Sequence, residues 1–377
     1  MNAFWREKAI GQVLQLQYGK PLEDGDRKPD GLYPVYGANG QKNRTDRFYH
    51  DKPSIVVGRK GSAGEMNLTE PKFWPLDVTY FVTFDEQQHE LRFLYYLLTT
   101  LDLPRLAKGV KPGINRNEVY SQVAKIPPLS EQQRIVSILD EAFEGIATAK
   151  ANAEKNLQNA RALFESELES VFTQRGQGWE EKTLGDIARV KGGKRVPKGY
   201  KLLVKPTENP YLRVTDFNDC GSINMSDLRY VNAEVYRAIK NYVIYSTDLY
   251  ISIAGTIGKT GIIPEELDGA NLTENACRMV FQPGVSNRFV YYFTLTSDFV
   301  EQAGLNTRTA AQPKLALSRL STIRLGIPSL AVQERLASEF DTLREESQRL
   351  RSIYQQKLVA LEALTKSLLH QAFSGNL

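Results

Sequence analysis

A chain of 377 residues, 41% hydrophobic and 24% charged, has room for two or three domains with real cores and the composition of a globular protein. Two cysteines (Cys220, Cys277) are too few for a disulfide framework or a cysteine metal site, and His50, His89 and His370 form no local cluster. No apolar run reaches a membrane span and the first eight residues lack the apolar stretch of a secretory signal, so a reducing cytoplasm is the expected location.

The net charge of +4 is unevenly spread: residues 1–127 carry +3 and 176–327 carry +4, whereas 128–175 carry −3 and 328–377 are balanced. A basic excess confined to two segments suits contact with phosphates there and not elsewhere.

The first segment, 1–127, opens with Trp5, Gly11, Gly19 and Lys20. Its loop Tyr33-Pro-Val-Tyr36-Gly-Ala-Asn39-Gly-Gln-Lys42-Asn-Arg44 mixes amides, aromatics and bases. Asn, Gln and Arg can read base edges, and Lys and Arg anchor phosphates. Tyr36, Asn39, Lys42, Arg44 and Lys20 are therefore candidate DNA contacts, in a field lowered by Asp24, Asp26, Asp30 and Asp46. Residues 53–58 and 79–84 read as strands, the former running into Gly58-Arg-Lys-Gly61-Ser-Ala-Gly64. That loop is either a tight turn between strands or a turn presenting Arg59 and Lys60 to a DNA backbone. Residues 91–103 read as a short helix. The loop Lys111-Pro-Gly-Ile-Asn-Arg116 closes the lobe and adds Lys111 and Arg116 to the candidates.

Residues 131–173 hold no proline and one glycine, and Leu139, Ala142, Ile146, Ala149 and Ala153 begin a single apolar stripe. A long helix is predicted, with Ser130 and Gln133 in capping-box order just after Pro127-Pro128, and Gly176 and Gly178 beyond its end.

The second lobe, 176–327, opens with Trp179, Gly185, Gly193 and Lys194. Lys191-Gly-Gly-Lys194-Arg195-Val-Pro-Lys198 is its densest basic run, making Lys194, Arg195 and Lys198 candidate contacts, with Arg213 counted beside them. Asn209-Pro210-Tyr211 lacks the second proline of the tetrapeptide with which amino-methyltransferases hold a flipped base, and reads as a surface turn. Residues 248–253 read as a buried strand. Gly255-Thr-Ile-Gly258-Lys259-Thr260 is like the end of a phosphate-binding loop, but that pattern requires glycine where Ile253 stands. Lys259 is kept as a DNA-backbone candidate. Residues 286–305 read as short helical structure, and Arg308, Gln312 and Lys314 line the closing loop. A second long helix follows, with Leu336, Phe340, Leu343, Leu350, Tyr354, Leu358, Leu361, Leu364 and Leu368 on one stripe. No paired carboxylates, Ser/His/Asp set or metal-ligand spacing supports catalysis.

The two halves repeat. Ile126-Pro-Pro-Leu129-Ser-Glu-Gln132-Gln-Arg134-Ile135 returns as Ile327-Pro-Ser-Leu330-Ala-Val-Gln333-Glu-Arg335-Leu336, an offset of 201 that holds from Pro112/Pro313 to Phe172/Phe373. The lobe openings repeat at an offset of 174, so the second lobe is 27 residues longer. Each helix of about 43 residues, ~65 Å long, needs a partner for its stripe. A homodimeric coiled coil is one solution. The internal repeat favours an intramolecular antiparallel pair, with a lobe at either end and at least one DNA turn, about 34 Å, between them. The expected fold is α+β and pseudo-two-fold: two mixed lobes (1–127, 176–327) separated by two long helices (128–175, 328–377) forming that coiled coil.

The duplicated junction, the long helices and the order lobe, helix, lobe, helix resemble the specificity subunit of a type I restriction–modification system, over essentially the whole chain. Tyr36-Gly-Ala-Asn-Gly40 and Lys111–Arg116 also look like loops of that family's target recognition domains. Copy two departs at Ala331-Val332-Gln333-Glu334, where the capping pattern is weaker. The resemblance implies a non-catalytic chain with no cofactor of its own, whose lobes each read half of a bipartite, asymmetric double-stranded DNA sequence. It implies helices that set the gap and dock two modification (methyltransferase) subunits, with a motor–nuclease subunit joining for restriction. A DNA-modifying enzyme with a degenerate cofactor site and a protein-joining scaffold are the competing readings.

Overall fold

The computed structural model describes residues 5–305 and 315–377, and divides into two compact units: Met1–Glu154 with Gln355–Leu377, and Lys155–Tyr354. Two helices, Leu129–Gln174 and Leu330–Ser374, contribute to both units. Their long proline-free runs permit this length, and burial of the apolar stripe supplies the stability.

In the first unit Ile135, Val136 and Leu139 of the first helix and Ala372 of the second enter the same core, with Leu368, Leu369 and Phe373 packed against it. In the second unit Leu168 and Phe172 of the first helix meet Leu336, Ala337 and Phe340 of the second. The Phe172 and Phe340 rings stack 6.0 Å apart, and Ser347 Oγ donates to the Ala160 carbonyl at 2.6 Å. In each unit the start of one helix lies against the end of the other. The helices form the expected intramolecular antiparallel pair.

The units share a sheet plan. In the first, Arg6–Ala9 pairs with Val123–Ile126, and a four-stranded sheet runs in the order Leu14–Tyr18, Thr79–Phe84, Ile55–Gly58, Met66–Leu68. A smaller sheet places Tyr33–Gly37 between Gly40–Thr45 and Trp74–Pro75. In the second, Glu180–Thr183 pairs with Arg324–Ile327, and the four-stranded order is Ala188–Gly192, Ala276–Phe281, Leu249–Ser252, Thr260–Gly261. Pro210–Leu212 lies parallel to Ala270–Leu272, as Tyr33–Gly37 does to Trp74–Pro75. The predicted helical stretches resolve into Leu91–Thr100 in one lobe and Asn287–Phe293 with Ser297–Gln302 in the other.

The lobes differ most between the middle strands. Residues 37–54 fill that stretch in the first lobe and include the strand Gly40–Thr45. The counterpart, 213–248, is twice as long and carries the helix Ala233–Ile239. Most of the length difference sits there.

The capping box expected at Ser130 does not form as read. The helix already starts at Leu129, and the Pro128 carbonyl accepts from the N–H groups of Glu131 and Gln132 at 3.0 and 3.1 Å. The anchor is instead the buried Gln132. Its carboxamide oxygen accepts from the Glu90 N–H (3.0 Å) and its nitrogen donates to the carbonyls of Gln88 (3.0 Å) and Pro127 (2.9 Å). Gln333 does the same with the Ser286 N–H and the carbonyls of Gly284 and Pro328. Two turns further on, Asp140 receives the Tyr96 hydroxyl and the Arg92 guanidinium, and Asp341 receives those of Tyr292 and Arg288. These duplicated bonds fix each lobe to its helix.

Candidate nucleic-acid interface

Gly19 and Gly193 begin each site. A Cβ on Gly19 would stand 2.1 Å from the Leu76 carbonyl oxygen, and one on Gly193 the same distance from that of Thr273. Only glycine lets the chain pass flush over the turn between neighbouring strands. The next residue then bonds in the same way in both lobes: Lys20 N–H to the Pro75 carbonyl and Lys194 N–H to that of Leu272, each 2.8 Å. Both lysine side chains then turn over an aromatic ring, Lys20 over Tyr49 at 4.8 Å and Lys194 over Tyr242 at 5.5 Å.

A second shared device is the glycine loop. Gly61 and Gly64 have φ of 84° and 88°, and Gly255 and Gly258 have 76° and 91°. Gly64 N–H bonds the Gly58 carbonyl as Gly258 N–H bonds that of Ser252, at 2.8 and 2.9 Å. The loop is a tight left-handed turn in both lobes. In the first lobe it is joined to the closing loop by Gly61 N–H to the Pro112 carbonyl (2.9 Å) and Ile114 N–H to that of Arg59 (3.0 Å). This brings Arg59, Lys60, Lys111 and Arg116 together. Tyr18, which sequence reasoning passed over, lies between two of them, with Arg59 at 5.2 Å and Arg116 at 5.0 Å from its ring centre. Its signal was its place in the alternating strand just before Gly19-Lys20, where an exposed tyrosine has no core to fill.

In the second lobe the Gly255 loop, Arg195, Tyr211, Arg213 and Glu274 surround a cleft of about 660 Å³. Arg195 Nε donates to Glu274 at 2.5 Å, and Thr273 Oγ1 donates to the same carboxylate at 3.0 Å. Burial opposes ionisation of Glu274, but these bonds win and hold its carboxyl below the usual value. Burial pushes the Tyr211 phenol up to about 12, leaving its hydroxyl neutral to donate to the Lys194 carbonyl at 2.9 Å.

The predicted contacts fall into groups. Among the described residues, the side chains of Lys42, Lys60, Lys111 and Lys198 are exposed with neither ion-pair nor hydrogen-bond partner, and Asn39 is exposed at the tip between Gly37 and Gly40. Others are engaged inside their lobe. Arg44 donates to the carbonyls of Gly31 (2.5 Å) and Leu32 (2.7 Å), and Arg213 binds Asp216 (2.5 Å) and Asp227 (3.2 Å). Lys259 pairs with Asp219 and donates to the Phe217 carbonyl, each at 2.9 Å. Tyr36 is half-buried edge-on to Phe73, and burial raises its phenol. Arg308, Gln312 and Lys314 lie outside the described residues.

The family model for the type I restriction modification DNA specificity domain matches twice, at residues 2–158 and 176–356. The chain belongs to that family. Specificity subunits are the non-catalytic components of type I restriction–modification enzymes, and they assemble with the other subunits and DNA. The chain is 25% identical to a putative type I restriction enzyme specificity subunit of Haemophilus influenzae, covering 86% of this chain and 84% of the relative. It is 22% identical to the EcoBI specificity subunit of Escherichia coli, covering 99% and 86%. Two solved structures share the fold over the whole chain. One is the HsdS subunit from Thermoanaerobacter tengcongensis (TM-score 0.64, 17% identity, 98% of that chain). The other comes from work on complex assembly and conformational transition of the type I R-M system (TM-score 0.76, 16% identity, 99% of that chain). Within this specificity family, the duplicated lysine–aromatic and glycine-loop arrangements mark where each lobe is built alike. No described helix is long and apolar enough to cross a membrane.

Proposed function

We propose that each lobe reads one half of a bipartite, asymmetric DNA sequence, and that the paired helices set the gap between the halves and dock two modification subunits. Residues 1–127 and 176–327 are the readers; 128–175 and 328–377 are the spacers. A motor–nuclease subunit joins for restriction, and the complex works in the cytoplasm. The observation that carries this reading is the repeated placement of Lys20 over Tyr49 and Lys194 over Tyr242, each just after a glycine that crosses the turn between strands, within lobes that otherwise differ. A shared frame with unlike surroundings suits two unlike half-sites.

Lys20, Lys42, Lys60, Lys111, Lys194 and Lys198 lie along the phosphates, with Arg116. Asn39 and Tyr36 face bases, and Arg44, Arg59, Arg195, Arg213, Lys259, Arg308, Gln312 and Lys314 complete the contact set. The test is selection of bound duplexes from a random-sequence pool by the full chain assembled with its modification subunits, repeated across salt concentrations. A bipartite motif is expected, with affinity falling steeply as salt rises. A single continuous motif, or salt-insensitive binding, overturns the reading. The scaffold alternative predicts no sequence selection at all.

A further inference from the structure

The two lobes place an arginine at the same turn, but send it from different strands. The turn is Leu76–Val78 in the first lobe and Thr273–Asn275 in the second, equivalent because Gly19 N–H bonds Thr79 and Gly193 N–H bonds Ala276 at its far side (3.1 and 3.0 Å). In the first lobe Arg59, from the glycine loop, donates through Nη2 to the carbonyl of the middle residue, Asp77, at 2.8 Å. In the second lobe Ile253 stands at the equivalent of Arg59: its carbonyl accepts from Leu315 N–H as that of Arg59 accepts from Ile114 N–H. There the arginine comes from the strand end as Arg195 and donates to the middle residue of the turn, Glu274, through its side chain.

We infer that Arg59 and Arg195 are the guanine-reading residues of their lobes, with Glu274 positioning Arg195. This rests on the reading of the lobes as DNA readers. A guanidinium anchored at one edge keeps its rotamer without losing its outward donors, and paired donors in a fixed plane match O6 and N7 of guanine in the major groove. Arg195 has its side chain 78% exposed beyond the bond to Glu274. Arg59 packs against the adjacent rings of Tyr18 and Tyr80, at 5.2 and 6.0 Å. At Arg195 the neighbouring acid decides between base and phosphate, and Arg59, bound to the Asp77 backbone carbonyl, follows from its place at the same turn. A carboxylate beside the arginine repels a phosphate, whereas Glu274 can accept from the cytosine amino group of the same base pair. Lys60 and Lys111 have no such acid partner and suit phosphates.

The experiment uses the full chain with its modification subunits and the random-duplex selection above. R195A is expected to erase a G·C preference of about tenfold or more at one position of one half-site, leaving the other half-site intact. R59A is expected to do the same in the opposite half-site. E274Q retains the same preferred base but with a weaker preference, whereas a merely structural role lowers affinity for all sequences together. Replacing the assigned guanine by 7-deazaguanine, with unaltered protein, is expected to weaken binding as R195A does, and needs no variant to fold. The inference is overturned if R195A and R59A weaken all sequences equally, change an A·T position, or leave the motif unchanged, or if 7-deazaguanine is tolerated. Absence of any motif with the unaltered protein instead removes the reading beneath it.

Discussion

Gln132 and Gln333, 201 residues apart, make the same three hydrogen bonds, each tying the first turn of a long helix to the start of a short helix in its lobe. Both are essentially inaccessible to solvent. A buried carboxamide that satisfies three backbone groups is costly to remove, because the groups it leaves behind stay desolvated. Gln132→Ala and Gln333→Ala should each cost about 1–3 kcal/mol, read as a lower denaturant midpoint in equilibrium unfolding. An unchanged midpoint in both variants would show that the clamp is replaceable by water.

Gly193→Ala should be far more damaging than its chemistry suggests. The added methyl meets the Thr273 and Leu272 carbonyl oxygens at 2.1 and 2.4 Å, so the strand must shift, at a cost of about 1–3 kcal/mol or more. Loss of stability should be accompanied by loss of one half-site from the selected motif. A variant of full stability with an intact motif contradicts the close approach described here.

Acid should loosen the first lobe through His89. Burial, and then the charge of Lys8, depress its pKa below the ordinary 6.5. The folded state therefore binds the proton less readily than the unfolded chain. Stability is undiminished above the unfolded value and is lost as pH falls from about 6.5 through the lower folded value. His89→Gln should flatten this part of the stability–pH curve, measured by thermal unfolding between pH 7.5 and 5. Identical slopes in the two proteins would count against it.

Lysines with and without internal partners should separate in DNA binding. Lys60→Ala and Lys111→Ala should weaken binding across all sequences and each lower the salt slope by about 1. Lys259 already bonds Asp219 and the Phe217 carbonyl, so Lys259→Ala should have the smaller effect. Equal losses for all three would place Lys259 on the phosphates despite its pairing.

The long helices, their antiparallel pairing and the strands read at 53–58, 79–84 and 248–253 were legible in the sequence, because a sustained apolar stripe and short β-rich runs are local signals. The loop read at 33–44 is instead the strand pair Tyr33–Gly37 and Gly40–Thr45, and the turn read at 209–211 belongs to the strand Pro210–Leu212. The Ser130 cap was misread: its residue spacing fits the motif, but the helix begins one residue earlier and the anchoring is done by Gln132, whose partners are 42 and 44 residues away in Glu90 and Gln88. The equivalence of the glycine loops was only half visible, since Gly61 and Gly64 match Gly255 and Gly258 while Arg59 and Lys60 have no basic counterpart at Ile253 and Ala254. The pairing of Arg195 with Glu274 spans 79 residues and depends on how the turn is built. Composition marks such cations as candidates, and only the folded chain shows which are held by a neighbour.

The central claim, that two readers are held apart by a helical spacer, is tested most directly by lengthening the spacer. Four residues inserted into each long helix, between Glu154 and Lys155 and between Tyr354 and Gln355 where the compact units divide, add about 6 Å. Selected duplexes should then keep both half-sites and show a gap longer by roughly two base pairs. A gap unchanged in a folded, DNA-binding variant, or a change in the half-sites themselves, contradicts the account.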